Sequence, residues 1–252
     1  MKDVFDKYVA TLAGTERMPP RELAHYQQQL LARLVRHAFD HVPFYRSRLR
    51  CLLSADGAFD LARWNEVPLL TRDNVLRHGH DLQTADLPAE YGETAQPSTS
   101  GSTGAPLRIA TNGLVFFVAN ALLTRTARRF GMDTSRPLAQ IRLAEDVPMA
   151  PYPEGTTRYG WSPADPATPC YQLDVTTPVR LQAEWLSRRR PAYLQTLPSG
   201  ALGLAWAVSP AGGRALGISN VLMYGETVPD GAREFIAERL GARAAAIYSC
   251  EE

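Results

Sequence analysis

The sequence is short of several things, and each shortage excludes a class of protein. It holds 3 cysteines in 252 residues. Cys51, Cys170 and Cys250 are odd in number and far apart, which excludes a disulfide scaffold and offers no zinc-knuckle spacing. The formal net charge is +1, with acidic and basic residues interspersed, so the basic face of a nucleic-acid binder is missing. The one cationic run, Arg188-Arg189-Arg190, follows a helical pattern and precedes Pro191. It reads as a solvated helix C-terminus favoured by the macrodipole. No apolar stretch approaches a membrane span, and Lys and Asp interrupt Met1 to Ala13, so no signal-peptide core forms there. Two histidine pairs, His37 with His41 and His78 with His80, have no cysteine or third histidine near them in sequence. Both pairs read as structural or loop residues. The expectation is a cytoplasmic protein with reduced thiols and neither nucleic acid nor membrane as partner.

What is present is an ordinary globular composition, 45% hydrophobic and 21% charged, enough for one large domain or two small ones. Apolar residues at helical spacing mark 22–41, through Leu23, Tyr26, Leu30, Leu34, Val35 and Ala38, with Pro43 as the stop. Thr71 is placed to cap a short helix with Asp73 in its first turn. Leu107 to Ala110 reads as a strand, and Thr111 as the cap of a helix running towards Gly131. Leu138 to Leu143 reads as a strand, and 144–175 as mostly loop with short strands.

Beyond that point the chain alternates. Thr177-Pro178 opens a helix to Arg189, Ala192 to Thr196 is a strand, and Pro198-Ser199 begins the next helix. Ile218 to Met223 is a strand, Asp230 caps a helix ending at Leu240-Gly241, and Ala244 to Tyr248 is the last strand. Such strand–helix units predict the α/β class, with parallel-sheet layers covered by helices. Ligands of such sheets bind beyond the carboxyl ends of the strands. Gly225-Glu226-Thr227 and Tyr248 to Glu252 follow neighbouring strands, so they are expected on one rim.

The third polar segment is the run Ser98-Thr99-Ser100-Gly101-Ser102-Thr103-Gly104. It cannot pack a core. It can wrap phosphates, because its glycines allow close backbone approach while hydroxyls and successive N–H groups donate to anionic oxygens. A Ser/Gly linker is the alternative, but Pro106-Leu107-Arg108-Ile109 and a long apolar helix follow at once, which favours the phosphate loop. The run lacks the Gly-Lys-Ser/Thr ending of a P-loop and the Gly-x-Ser-x-Gly of a nucleophile elbow. A carboxylate near such a loop can hold Mg²⁺, and a ring such as Tyr248 can stack on a purine, which suggests an ATP site.

The run resembles the Thr-Ser-Gly-Ser-Thr-Gly signature of the adenylate-forming acyl- and aryl-CoA ligases. Further segments resemble the phenylacetate–CoA ligase branch in order. They are Arg36 to Arg46 with its Val-Pro-Phe-Tyr-Arg, Val67 to Asp73, Arg190 to Ser199, Gly225-Glu226-Thr227, and Tyr248 to Glu252. The resemblance implies part of the large N-terminal domain of such enzymes, with 1–90 as a leading helical segment and 91–252 as the nucleotide-binding portion. It implies that Thr99, Ser100, Gly101, Ser102, Thr103 and Gly104 cradle the β- and γ-phosphates of ATP. Gly225, Glu226 and Thr227 would line the adenine pocket, Tyr248 would flank the adenine or the acyl group, and Glu252 would be the catalytic, magnesium-associated glutamate, with Thr103 as its catalytic partner in the loop.

The implied reaction joins a small-molecule carboxylic acid to ATP as an acyl-adenylate, then transfers the acyl group to coenzyme A or a carrier-protein pantetheine; a homodimer is a candidate assembly. Phe116, Tyr152, Trp161 and Tyr193 are the aromatic candidates for the acid pocket. Three departures stand out: Ala105 where the family often has lysine, Ser249 in place of glycine, and Glu251 in place of Thr or Ser. The sequence stops at Glu252, before the family's hinge and lysine-bearing lid, so this chain alone is expected to be catalytically impaired. The alternative is a non-catalytic nucleotide- or acyl-binding module.

Overall fold

The structure, a computed structural model, describes residues 2–84, 86–96, 107–143 and 149–248. These fall into two compact units. Among the described residues, one takes in the chain up to Ala10 and from Asn120 to Tyr248, and the other is Thr11–Ala119. The contact division thus falls inside a helix near 120, whereas the sequence reading drew its functional boundary at 90/91.

The larger unit is built on one six-stranded sheet. Its strands are β1 (Leu138–Arg142), β2 (Thr156–Tyr159), β3 (Pro169–Asp174), β4 (Tyr193–Thr196), β5 (Asn220–Met223) and β6 (Arg243–Ala246), in the spatial order β2-β3-β1-β4-β5-β6. All neighbouring pairs are parallel except β2 with β3, so an antiparallel edge strand closes one side of a parallel sheet. The chain leaves β1 towards β3, returns across it through α6 (Val179–Arg189) to β4, and then steps outward. Those steps run through α7 (Pro198–Ala207) and α8 (Pro210–Ala215) to β5, and through α9 (Ala232–Leu240) to β6. The direction of winding reverses between β1 and β4. At such a switch point an open α/β sheet leaves a crevice at its carboxyl edge.

Alternation along the strands feeds two cores. Ala139, Ile141, Leu173, Leu194, Val221 and Met223 face one side, where Trp185 and Leu186 of α6, Leu204 of α7 and Ile236 of α9 cover them. Leu138, Cys170, Tyr193 and Leu222 face the other, beside Trp161 and Ala127. Ala127 belongs to α5 (Gly113–Arg129). One close backbone approach depends on a missing side chain. A Cβ at Gly213 would sit 2.0 Å from the Arg239 carbonyl oxygen, so α8 and α9 can touch there only through glycine.

The smaller unit is helical. It contains α2 (Pro20–His41), α3 (Pro43–Arg48), α4 (Arg72–His78) and short 3-10 turns, with Val35, Leu49 and Leu52 as its buried cluster. Thr71 caps α4 in a reciprocal box: its hydroxyl accepts from the Asn74 N–H, and the Asn74 side chain accepts from the Thr71 N–H. Before these comes α1 (Lys2–Thr15), where Phe5 and Val9 are buried.

Several local expectations are corrected. Residues 107–110 hold a single bridge residue, Arg108, rather than a run of strand, and Ala95 and Thr111 make an isolated antiparallel bridge. That bridge occupies the Thr111 backbone, and Asn112 caps α5, accepting from the N–H groups of Leu114 and Val115. Thr177 does not cap α6. The Gln182 side chain donates to the carbonyls of Val175 and Thr177, tying the turn from inside the helix. Helix α9 starts after Gly231, which takes φ +74, and Asp230 makes no cap. Pro43 ends α2 but also begins α3, since its fixed φ suits a first helical position.

Candidate functional site

The carboxyl rim of the sheet is set by register. Met223 of β5 pairs with Ala246 of β6, and the Ile247 N–H donates to the Met223 carbonyl at 2.8 Å. The turn after β5 and the residues after β6 therefore leave the sheet side by side. This brings Gly225, Glu226 and Thr227 to the same rim as Tyr248. All are exposed, Tyr248 to 97%. Gly225 has φ +79, and a Cβ there would come 3.2 Å from Leu197 at the start of α7, so a larger residue would be both strained and crowded.

Glu226 has a definite partner. Its carboxylate accepts from the Ser199 N–H at 2.9 Å and from the Ser199 hydroxyl at 3.0 Å. Ser199 lies in the first turn of α7, where free N–H groups and the helix dipole favour an anion. The carboxylate thus clips the 225–227 turn to the next helix along the rim. Sequence reading placed Glu226 among the nucleotide-lining residues and overlooked Ser199. The visible signal was the Pro198-Ser199 helix start, but the pairing spans 27 residues and no local pattern reports it. At its other end α7 is capped by Arg239, whose guanidinium donates to the carbonyls of Ala205 and Val208 at 2.9 and 2.6 Å.

A row of amides runs just inside the rim. Gln172, Gln140 and Gln195 stand in register on β3, β1 and β4, and neighbouring side chains are hydrogen-bonded. Sequence reading did not single these residues out.

Other expected residues fall elsewhere. Thr99, Ser100, Gly101, Ser102, Thr103, Gly104 and Glu252 lie outside the described residues. Trp161 and Tyr193 are core residues rather than pocket walls, 7% and 2% exposed, with ring centroids 6.2 Å apart. The Trp161 indole donates to the Arg136 carbonyl, and the Tyr193 hydroxyl accepts from the Asp133 N–H. Tyr152 is engaged with α6: its hydroxyl donates to Glu184, and Arg188 lies over its ring. Phe116 is exposed on α5 in the other unit.

The Arg188–Arg190 run is a helix C-terminus, with Arg189 over the Tyr171 ring and Arg190 left-handed at φ 48. His37 and His41 stack at 4.8 Å, and His41 Nδ1 lies 3.6 Å from Asp86. Burial pushes the Cys170 thiol up from its ordinary 9.0 to about 12, which makes it inert. Among the described residues no group of three or more His, Cys, Asp or Glu side chains is arranged to hold a metal. No described helix is long and apolar enough to cross a membrane.

The fold has counterparts among solved structures. An open conformation of 2-hydroxyisobutyryl-CoA ligase in complex with 2-HIB-AMP and CoA superposes with a TM-score of 0.68 at 17% identity, over 92% of this chain and 55% of that one. The same ligase in the postadenylation state with R3-HIB-AMP gives a TM-score of 0.66 at 19% identity, over 93% of this chain and 50% of that one. In the thioesterification state, with 2-HIB-AMP and CoA, the values are 0.65 and 20%, over 91% and 49%. This chain spans about half the length of these ligases. No family model and no curated protein matches the sequence. The chain thus has a mixed α/β fold, a six-stranded sheet covered by helices, similar to part of these ligases.

Proposed function

We propose that this chain is the nucleotide-binding portion of an enzyme that activates a carboxylic acid with ATP as an acyl-adenylate and passes the acyl group to a thiol. The thiol is that of coenzyme A or a carrier pantetheine. The observation that carries the reading is one coincidence: a chain with the fold of part of a CoA ligase also holds the Ser/Thr/Gly run at 98–104. The positive-φ turn at Gly225 and the open ring of Tyr248, side by side on the carboxyl rim, support it.

In this reading Thr99 to Gly104 hold the β- and γ-phosphates through N–H and hydroxyl donors, and Thr103 orients the terminal phosphates. The backbone of Gly225 to Thr227 and the ring of Tyr248 take the adenine. The Glu226 carboxylate, bonded to Ser199, holds that turn in place. Glu252 supplies the carboxylate for Mg²⁺, which when bound neutralises phosphate charge. The acid is drawn from the class used by the phenylacetate–CoA ligase branch, the soluble compartment is the cytoplasm, and residues 91–252 make up the nucleotide portion.

The test is carboxylate-dependent ATP–pyrophosphate exchange in the full protein. Thr103→Val should lower exchange roughly a hundredfold, the scale set by removing one preorganised donor from a developing charge. Exchange left intact in that variant refutes the phosphate-loop assignment. Ala105, standing where the family often has lysine, favours a second reading as a non-catalytic nucleotide-binding module. That reading expects calorimetric ATP binding with no exchange.

A further inference from the structure

Strands buried on both faces of a parallel sheet are normally runs of Val, Ile and Leu. Here three adjacent strands each place a glutamine on the same face at the same level. Gln172 of β3 pairs with Gln140 of β1, which pairs with Gln195 of β4. Their amides bond in one direction. Gln172 Nε2 donates to Gln140 Oε1 at 2.8 Å, and Gln140 Nε2 donates to Gln195 Oε1 at 2.7 Å. The next position in the row, on β5, is Leu222, which offers no acceptor side chain. The chain of bonds ends there. Among the described residues the Gln195 amide nitrogen has no partner, and Gln195 is only half-buried, while Gln172 is 8% exposed.

The row marks a boundary. One pleat towards the amino ends lie Leu138, Cys170 and Tyr193, all buried in the apolar core. One pleat towards the carboxyl ends the strands finish, at the switch between β1 and β4 where ligands of such sheets enter. Packing alone does not call for amides at this level, because apolar side chains would seal the core without any polar group to satisfy. A ladder anchored at its buried end instead holds the last carboxamide in one orientation, with two N–H groups unused at the accessible end.

We infer that Gln195 is a specificity residue of the acid site, whose amide N–H groups meet an acceptor oxygen on the acyl part of the ligand. The preferred acids therefore carry a second oxygen function, a hydroxyl or carbonyl next to the carboxylate, whether their skeleton is aliphatic or aromatic. Gln140 and Gln172 are positioning residues behind it. This rests on the adenylation reading above and narrows its substrate class.

The experiment measures calorimetric binding of stable acyl-adenylate mimics to the full-length protein, using two matched pairs of acyl sulfamoyl adenosines. These are lactoyl against propionyl, and mandeloyl against phenylacetyl. The wild type should bind the oxygenated member of at least one pair about tenfold tighter, the value of one well-placed hydrogen bond. Gln195→Met, of similar length but without donors, should erase that preference and leave the plain member within about twofold. Gln195→Glu keeps an acceptor for Gln140 and removes the donors, so it should do the same, and it carries the test if the Met variant fails to fold. Equal binding within both pairs by the wild type overturns the proposal. So does a preference that survives both substitutions. If the wild type binds none of the four mimics, the adenylation reading itself falls, which is a different result from equal binding.

Discussion

The two units of this chain hold themselves together by different means. The sheet unit buries large side chains completely: Trp185, Ile141, Leu194, Met223 and Ile236 are sealed between strands and helices far apart in sequence. The helical unit, Thr11–Ala119, has Val35, Leu49 and Leu52 as its buried cluster and leaves Leu34, Leu69 and Leu76 exposed. It relies more on neighbours in sequence, through caps, short turns and i,i+3 or i,i+4 ion pairs such as Arg63–Glu66 and Arg77–Asp73. Surface pairs of that kind stabilise little. Long-range burial sets the stability of the sheet unit and the precision of its rim, while the helical unit adds to its local bonds a few longer ones, such as Arg48 to the carbonyls of Pro68 and Leu69.

The sharpest test of this contrast removes one large core side chain from each unit. Trp185→Ala should lower stability by about 3–5 kcal/mol in urea unfolding, and Leu52→Ala by about 2 kcal/mol. Equal costs would erase the distinction. A second effect follows from the buried Cys170. Its thiol stays protonated in the fold until about pH 12, whereas in the unfolded chain it ionises near 9.0. Between those values the unfolded state binds fewer protons, so stability falls as pH rises, by about 1.4 kcal/mol per pH unit for a full proton. That stability is intact below pH 9. Cys170→Ala should therefore flatten the decline in melting temperature between pH 9 and 11, and an unchanged slope would mean that the thiol is not sealed in the core.

Two smaller effects compare caps. Thr71→Ala should cost about 1 kcal/mol and increase exchange of the α4 amides only. Glu226→Ala should cost about 0.5–1 kcal/mol because its carboxylate is exposed. Its effect should nevertheless appear at two places distant in sequence, the Ser199 amide and the 225–227 turn, and Glu226→Gln should restore much of it. If hydrogen exchange after Glu226→Ala changes only within 225–227, the clip does not join the turn to α7.

Much of the sheet unit was legible because its elements have length and punctuation. The helices at Val179–Arg189, Pro198–Ala207 and Ala232–Leu240, and the strands between them, stand out from alternation, prolines and the glycine after Leu240. Strand β3 was hidden within 144–175, because Pro169-Cys170-Tyr171-Gln172-Leu173-Asp174 has no apolar run and sits in a proline-rich stretch. It is nonetheless an inner strand, paired on both sides. Caps were misplaced by one residue, since Thr111, Thr177 and Asp230 are competent by type, whereas backbone geometry puts Asn112, Pro178 and Gly231 at the cap positions. Trp161 and Tyr193 were misread because burial cannot be told from an aromatic side chain alone.

By itself the sequence determined the α/β class, the polar residues that follow the last two strands, and the hydroxyl-rich run at 98–104. Those properties live in periodicity and in residue type, which local chemistry reads directly. Only the tertiary structure decided that β3 pairs with β1, that Glu226 answers Ser199, and that Gln172, Gln140 and Gln195 form one row. Each of these depends on strand order and register. Residues far apart in the chain meet only after the winding direction of the sheet has been chosen.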